Sequence, residues 1–355
     1  MNILILGGTG AMGTPLVQIL KKSNQLFVTT RSNSHEDEEN VTYLKGDAHD
    51  LNFLMDILEL KYYDAIVDFL IYSTEEFAKR YSLFLDKTKQ YIFLSSARVY
   101  SDCGLSKITE KSGRLLDTSK DKNYVHSDEY AIRKAKQENI LLKSEKHNFT
   151  IVRPYITYNN ERLQLGIFEK EVWLQRALSN KTIVVNNSVL SKYTTLTFGY
   201  DVALRIASLI GNERAYGEII HIVTDKYIQW KKVLDIYLEV IEQNLGYKPK
   251  IIISDEYNSL SKKRSYHQIY CDRMYNRIFD NSKIEDISNL SSEFIPPEIG
   301  LKQCLNTFLK DSGKFLFKSW KFEAVFDKIT GEKERLSNIN GFRNKVIYLL
   351  FRYVF

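Results

Sequence analysis

The chain opens with the stretch Met1-Asn2-Ile3-Leu4-Ile5-Leu6-Gly7-Gly8-Thr9-Gly10-Ala11-Met12-Gly13, and this stretch decides the fold. Its apolar run is typical of a buried β-strand, and the glycines that follow precede Pro15, a residue tolerated in the first turn of a helix. Glycine permits a tight turn, and a helix N-terminus offers free N–H groups to a phosphate. The order therefore predicts a pyrophosphate-binding turn made by Gly7, Thr9, Gly10, Ala11, Met12 and Gly13.

Apolar runs alternate with amphipathic stretches through the first 155 residues. We expect strands at Ile3–Leu6, Leu26–Thr30, Thr42–Leu44, Ala65–Leu70, Tyr91–Ser95 and Thr150–Val152. We expect helices at Pro15–Lys22, Leu51–Leu60, Thr74–Asp86 and Asp128–Glu145. This alternation predicts an α/β fold with a doubly wound parallel sheet, whose ligands bind at the carboxyl ends of the strands.

The regular alternation stops after Pro154, and this change suggests a division into domains. We predict a dinucleotide-binding domain over residues 1–155, to which residues 194–225 return. Residues 156–193 and 226–311 are expected to form a smaller, discontinuous C-terminal lobe that binds the substrate. Residues 312–355 are predicted to be a basic, aromatic extension.

Composition and charge exclude several classes of protein. The 355 residues are 44% hydrophobic and 26% charged, the balance of a globular chain. Most of the net charge of +6 comes from residue 313 onward, where nine basic residues face four acidic ones. The rest is nearly neutral, so we predict no nucleic-acid partner. The three separated cysteines suggest a cytoplasmic protein, and the six histidines share no metal-ligand spacing, so no metal is predicted.

The end of the second predicted strand distinguishes between two related dinucleotides. An acidic residue here accepts a hydrogen bond from a ribose 2′-hydroxyl, whereas an arginine suits a 2′-phosphate. This chain has Arg31 followed by Ser32, which favours NADP, although NAD stays open and Arg31 could be a solvated loop residue. Asp47 and Ala48 would lie by the adenine of the cofactor. Phe69 and Leu70, at the end of the fourth strand, are two further predicted cofactor contacts.

A tyrosine and a lysine four residues apart form the predicted catalytic pair. With 23 tyrosines the spacing recurs by chance, and Tyr227 and Lys231 repeat it. Tyr130 and Lys134 differ because a strand ending in Ser96 precedes them. Residues four apart share a helix face, so the Lys134 ammonium would lie near the Tyr130 hydroxyl and favour the phenolate. Tyr130 would then act as a general acid/base, with Ser96 bound to the substrate oxygen.

These motifs together resemble the extended short-chain dehydrogenase/reductase family, the NAD-dependent epimerases, dehydratases and reductases of nucleotide sugars. The resemblance covers about the first 225 residues: the glycine turn, Asp47, Ser95-Ser96-Ala97-Arg98-Val99-Tyr100, Tyr130 with Lys134, Val152-Arg153-Pro154 and Gly199-Tyr200-Asp201-Val202-Ala203. It implies a Rossmann domain, a bound nicotinamide cofactor that Tyr130 and Lys134 also contact, a nucleotide-sugar substrate and a homodimer.

Departures from the family pattern narrow the chemistry. The dehydratases carry Asp and Glu where this chain has Ala97 and Arg98, so we do not expect dehydration. Many nucleotide-sugar enzymes carry Asn where Ile156 stands, and a Tyr-Gly pair where this chain has Tyr158-Asn159. Arg98 and His126 are further candidates for substrate contacts.

Three functions remain open from the sequence. Arg31 favours an NADP(H)-dependent reductase of a keto-sugar nucleotide. An epimerase with a tightly bound NAD(P) is the first alternative, and a non-catalytic relative that senses a dinucleotide or binds RNA is the second. No stretch is apolar enough to span a membrane. The tail could lie on an anionic membrane, but its nearly continuous apolar run favours packing on the second lobe or on another subunit.

Overall fold

The computed structural model describes residues 1–32, 34–255, 266–311 and 313–354. Its strands are β1 (Asn2–Leu6), β2 (Gln25–Thr30), β3 (Val41–Lys45), β4 (Tyr63–Asp68), β5 (Thr88–Leu94), β6 (Phe149–Pro154), β7 (Ile156–Tyr158), β8 (Ile183–Val185), β9 (Tyr193–Thr194), β10 (Leu196–Phe198), β11 (Ile219–Ile222), β12 (Ile228–Gln229) and β13 (Ile251–Ile253).

The helices of the described residues are α1 (Gly13–Leu20), α2 (Leu51–Glu59), α3 (Thr74–Ala78), α4 (Tyr81–Asp86), α5 (Leu115–Thr118), α6 (Lys122–His126), α7 (Tyr130–Leu142), α8 (Lys170–Leu178), α9 (Asn187–Leu190), α10 (Gly199–Leu209), α11 (Trp230–Leu245), α12 (Tyr266–Gln268), α13 (Ser282–Ser288), α14 (Pro297–Lys310), α15 (Trp320–Thr330) and α16 (Phe342–Leu349). Residues 256–265 of the predicted lobe, and Ser312 and Phe355 of the predicted extension, lie outside the described residues.

A seven-stranded sheet in the order β11-β6-β5-β4-β1-β2-β3 forms the centre of the first unit. All its neighbouring strands run parallel. The predicted doubly wound α/β sheet is therefore confirmed. The chain leaves β1 in one direction for β2 and β3 and in the other for β4 and β5, so the crevice for a ligand lies at the carboxyl end of β1.

Two apolar layers cover the two faces of this sheet, and strand β1 shows why. Successive side chains of a strand point to opposite faces. Ile3 and Ile5 accordingly pack with α1 and α10 in one core, and Leu4 and Leu6 pack with α2, α4 and α7 in the other. Because β1 is buried on both faces, its sequence is a continuous apolar run.

One predicted helix is divided in the structure. The stretch Thr74–Asp86 forms α3 and α4, with a break at Lys79 and Arg80. The buried Arg80 side chain donates hydrogen bonds to the carbonyls of Glu76 and His49, at 2.9 and 2.6 Å. These contacts draw Arg80 inward at the junction of the two helices.

The chain forms two compact units, and their limits correct one predicted boundary. The first consists of Met1–Thr157, Thr195–Asp225 and Ile278–Ile295. We expected residues 278–295 in the substrate lobe, within the range 226–311, but they belong to the first unit. The reason is local packing, since Ile284 and Ile287 of α13 are buried in the core that contains α10.

The second unit consists of Tyr158–Thr194, Lys226–Arg277 and Pro296–Phe355. It includes the described residues of the predicted extension. Buried Arg176 of α8 pairs with Glu323 at 3.0 Å and with Asp327 at 2.9 Å, both on α15. These ion pairs fix α15 to the rest of the unit. No helix among the described residues is long and apolar enough to cross a membrane.

Candidate functional site

The glycine turn closes tightly between β1 and α1. Gly7 has a φ of +72°, a left-handed conformation that favours glycine. A Cβ on Gly13 would lie 2.5 Å from the carbonyl oxygen of Gly8, whereas a Cβ on Gly10 would have no atom within 4 Å. Gly13 therefore allows the helix to approach the turn, and Gly10 faces open space. The Gly7 N–H is held by the hydroxyl of Thr29, which accepts it at 3.0 Å.

A groove of about 290 Å³ lies at the carboxyl ends of the strands around this turn. It is lined by Gly7, Thr9, Gly10, Thr29, Thr30, Arg31, Gly46, Asp47, Ala48, His49, Phe69 and Leu70. Eight of these residues were predicted as cofactor contacts. The other predicted cofactor contacts are not among the lining residues: Ala11, Met12, Gly13, Ser32, Tyr130 and Lys134.

Arg31 is a cation without a counter-charge in the described part of the chain. It follows the last residue of β2, is exposed, and forms no hydrogen bond or ion pair with another described residue. Asp47 differs, because its carboxylate accepts a hydrogen bond from the backbone N–H of His49 at 3.0 Å. The guanidinium is thus available to an anionic ligand, and Asp47 shapes the loop after β3.

Asp68 at the end of β4 is fully buried and does not line the groove. It accepts hydrogen bonds from the Tyr91 hydroxyl at 2.7 Å and the Leu70 N–H at 2.9 Å. Burial raises the pKa of this carboxyl to about 6, against the opposing effect of these hydrogen bonds and of the charge on Lys134. Asp68 positions the loop carrying Phe69 and Leu70 and places a negative charge beneath the site.

Lys134 on α7 is buried beside the carboxyl end of β5. Its ammonium donates a hydrogen bond to the Leu94 carbonyl at 2.7 Å and lies 4.5 Å from the centroid of the Phe93 ring. Burial lowers the pKa of Lys134 to about 8, and the charge of Asp68 partly offsets this. The side chain can therefore change charge near neutral pH.

Tyr130 is the first residue of α7, and two guanidiniums lie close to its ring. The Arg98 guanidinium is 5.1 Å from the ring centroid and that of Arg133 is 5.7 Å from it. Arg98 is held there by a hydrogen bond to Glu129 at 3.0 Å. We expected Lys134 near the Tyr130 hydroxyl, but in the described residues no hydrogen bond links them. Lys134 instead has the Leu94 carbonyl as its acceptor, which satisfies a buried ammonium.

Ser96 lies two residues beyond Leu94, the last residue of β5. It is buried, and its hydroxyl accepts the Arg98 N–H at 3.2 Å. Ser96 in the loop after β5 and Tyr130 and Lys134 on α7 thus belong to one unit. His126 is exposed at the end of α6, where its Nδ1 lies 2.6 Å from the Lys122 carbonyl oxygen.

A buried ion cluster fixes α7 against the sheet. Glu138 accepts two hydrogen bonds from Arg153 of β6, at 2.8 and 2.6 Å, and one each from Ser95 at 2.5 Å and Arg114 at 3.1 Å. The net effect of burial and of these partners is a lowered pKa for Glu138. Glu138 lies one helical turn beyond Lys134, so the cluster also sets the place of the lysine.

Sequence reasoning missed several of these residues. Thr29, Thr30, Gly46 and His49 line the groove, and the threonines could have been noticed because they immediately precede Arg31. Glu138 also had a signal, since an acidic residue four places after Lys134 shares its helix face.

The donor set of the groove fits a nicotinamide adenine dinucleotide. The glycine turn leads into the N-terminus of α1, which suits a pyrophosphate. Apolar Ala48, Phe69 and Leu70 suit an adenosine, and the unpaired Arg31 suits a phosphate on its ribose. Lys134, Tyr130 and Ser96 are the residues that would meet the reactive end of the molecule.

Comparison with solved structures defines the class of fold. The chain is similar to dTDP-glucose 4,6-dehydratase from Bacillus anthracis in complex with NAD, with a TM-score of 0.65 and 17% identity, covering 88% of this chain and 97% of that one. It is also similar to UDP-N-acetylglucosamine 4-epimerase from Methanobrevibacter ruminantium, with a TM-score of 0.66 and 17% identity over 87% and 98% of the two chains.

UDP-glucuronic acid 4-epimerase from Bacillus cereus, in complex with UDP-glucuronic acid and NAD, gives a TM-score of 0.64 at 14% identity, with coverages of 88% and 100%. The fold is therefore that of the NAD-dependent nucleotide-sugar epimerases and dehydratases. The resemblance inferred from the sequence motifs is confirmed at the level of the fold.

A curated relative is named for binding a stem-loop and not for an enzymatic activity. The chain is 30% identical over 243 residues to the chloroplast stem-loop binding protein of 41 kDa b from Arabidopsis thaliana, a match that covers 64% of this chain. The chain spans 60% of the length of that relative. No model of a known protein family matches the sequence.

Proposed function

We propose that this protein is an enzyme that binds a nicotinamide adenine dinucleotide and oxidises or reduces a carbon of a nucleotide sugar. The observation that carries the proposal is the groove at the glycine turn in the same unit as Ser96, Tyr130 and buried Lys134. A binding module has no need of an acid/base tyrosine in the unit that carries a dinucleotide groove. The similarity of the fold to nucleotide-sugar epimerases supports the choice of substrate class.

The dinucleotide would supply a site that accepts or donates a hydride. The Tyr130 hydroxyl would give a proton to, or take one from, the substrate oxygen, and the Ser96 hydroxyl would orient that oxygen. The Arg98 and Arg133 guanidiniums lie 5.1 and 5.7 Å from the centroid of the Tyr130 ring and would hold the ring in place by cation–π contacts. Lys134 would hold the nicotinamide ribose, and the charge of Asp68 supports its ammonium.

Between the two catalytic versions, we place the epimerase first. Similar folds occur in two UDP-sugar 4-epimerases, and an epimerase returns its dinucleotide to the starting state in each cycle. The reductase of a keto-sugar nucleotide remains the alternative, because Arg31 suits NADPH. Net oxidation of NADPH by a keto-sugar nucleotide would select the reductase, whereas epimer formation without net oxidation would select the epimerase.

The preference for NADP over NAD, the cytoplasmic location and the homodimer are further predictions. Arg31 supports the first of these, because it faces the groove without an acidic partner among the described residues. The spacing of the cysteines supports the second, and the family resemblance supports the third.

The catalytic proposal is tested by Tyr130→Phe. We expect the variant to keep the dinucleotide and to lose about 100-fold or more of the rate at which UDP- or dTDP-sugars are converted, measured by mass spectrometry and proton NMR. Tyr227→Phe is the matched control, since Tyr227 has a lysine four residues on but is 44% exposed in the second unit. Equal rates in wild type and Tyr130→Phe would refute the proposed catalysis.

Binding of a structured RNA is the second candidate function. It is favoured by the 30% identity to a stem-loop binding protein, which exceeds the 14–17% identity to the enzymes. In this alternative, the protein would slow the migration of a stem-loop RNA in native gel electrophoresis at physiological salt. The variant Tyr130→Phe would slow it equally. An unchanged migration of the RNA at micromolar concentrations of the protein would refute RNA binding.

A further inference from the structure

Helix α16 and the helical turn that follows it, residues 342–354, pack with one face only. The buried face centres on Tyr348, whose hydroxyl donates to Asp327 at 2.7 Å and accepts the Glu334 N–H at 2.7 Å. Tyr348 joins Ala324 and Ile339 in a small core with Trp320 and Phe351 against it. This face fixes the helix to α15 of the same unit.

The opposite face is apolar and exposed. Phe342 is 83% exposed, Tyr353 64% and Val354 68%. Val346, Leu349 and Leu350 are each 37–39% exposed. The spacings of four, three and four residues from Phe342 through Val346 and Leu349 to Tyr353 are those of one side of a helix. The tail thus presents a continuous apolar stripe, which the sequence did not reveal because buried and exposed apolar residues alternate in it.

The charge of this segment has one sign. Residues 342–354 include Arg343, Lys345 and Arg352 and no acidic residue. Arg343 and Lys345 form no ion pair with any described residue, while Arg352 donates to the Glu332 carbonyl at 3.1 Å. A helix with an exposed apolar stripe and flanking cations is complementary to an interface between anionic headgroups and acyl chains.

We propose that residues 342–354 dock the protein onto an anionic lipid membrane, with the apolar stripe inserted among the acyl chains and Arg343 and Lys345 at the headgroups. The helix would lie in the plane of the interface, since its 13 residues of helix and turn are too few to span a bilayer. A protein partner would need an acidic groove to match the same cations. An anionic bilayer offers negative headgroups for the cations and an apolar interior for the stripe.

The test is co-sedimentation of the full chain with vesicles. We expect binding to vesicles of equal parts phosphatidylcholine and phosphatidylglycerol, weak binding to phosphatidylcholine alone, and release by high salt. The double variant R343Q/K345Q should lower the partition coefficient about 30-fold, while K22Q/K120Q, at two exposed lysines of the first unit, should not.

A second pair of variants tests the apolar stripe. F342S/L350S should abolish sedimentation with the mixed vesicles, and L60S/L105S, at two exposed leucines of the first unit, should leave it unchanged. Failure of wild type to sediment with the mixed vesicles, or equal binding to both vesicle types, would overturn the proposal. So would a dimer in sedimentation velocity that F342S/L350S dissociates, because the stripe would then face a second copy of the chain.

Discussion

Arg31 is the residue on which the choice between two cofactors depends. Arg31→Asp removes the cation at the groove and puts a carboxylate where a ribose 2′-hydroxyl could bind. We expect 2′,5′-ADP to bind about 10- to 100-fold more weakly, with little change for 5′-AMP, in isothermal titration calorimetry. Lys22→Asp, the same charge change at an exposed residue after α1, is the control. If both variants bind 2′,5′-ADP like wild type, Arg31 is a solvated loop residue.

Lys134 and Asp68 form a buried pair of opposite charge whose pH dependence can be measured. The pKa of Lys134 is lowered to about 8 by burial and is supported by Asp68. If the ammonium holds the dinucleotide, affinity should fall as pH rises through about 8. Asp68→Asn removes the supporting charge, so the pKa of Lys134 should fall further and the midpoint should move to lower pH.

The matched control is Asp64→Asn at the other end of β4, where the carboxylate pairs with Lys89 at 2.6 Å instead. Dinucleotide affinity measured by isothermal titration calorimetry between pH 6 and 10 distinguishes the Asp68→Asn variant from the Asp64→Asn control. An unchanged midpoint in Asp68→Asn would show that this carboxylate does not act through Lys134.

At the scale of elements, the β1–α1 junction shows which glycines serve packing and which serve binding. Gly13→Ala places a methyl group 2.5 Å from backbone atoms of Gly8, so α1 must shift. We expect the free energy of unfolding to fall by about 1–3 kcal/mol in urea titration. Gly10→Ala has open space and should unfold like wild type while losing dinucleotide affinity. Equal stability of both variants would contradict the packing role of Gly13.

Helix α7 depends on the buried Glu138 cluster. Glu138→Gln keeps the shape but removes the anionic partner of buried Arg153, while Arg114 keeps its ion pair with Asp117, so we expect a loss of about 3 kcal/mol in the free energy of unfolding. Because the pKa of Glu138 is lowered in the folded chain, its contribution is present above about pH 4.5 and disappears as the pH falls through the lowered pKa.

The difference between wild type and Glu138→Gln in urea titrations should therefore shrink in acid. Glu145→Gln, at an exposed carboxylate just beyond α7, should change little at any pH. A variant Glu138→Gln as stable as wild type at pH 7 would show that the cluster does not hold α7.

At the scale of the whole molecule, sequence reasoning succeeded where the pattern is local. The apolar run of β1, the glycines after it and the alternation of strands and helices predicted the parallel sheet, because period and turn chemistry act over a few residues. It failed where distant segments meet. Nothing in the sequence near Ile284 or Ile287 indicates that α13 packs in the first unit. The hydrogen bond from Lys134 to the Leu94 carbonyl likewise depends on how α7 lies against β5, which the sequence does not show.

The same distinction applies to the site. Eight lining residues of the groove were predicted from loops at strand ends, whose position in a doubly wound sheet follows from its topology. The cations around the Tyr130 ring were not predicted, because Arg98 comes from the loop after β5 and turns toward α7 through Glu129.

The central claim is that the groove beside Gly7, Gly10 and Arg31 binds a nicotinamide dinucleotide. It is tested most directly by incubating the purified chain with equal amounts of NADP and NAD, removing unbound nucleotide by gel filtration, and identifying the nucleotide released on denaturation by mass spectrometry. We predict close to one dinucleotide per chain, mainly NADP, and almost none with Gly10→Ala. Release of neither dinucleotide from the wild-type chain would contradict the account.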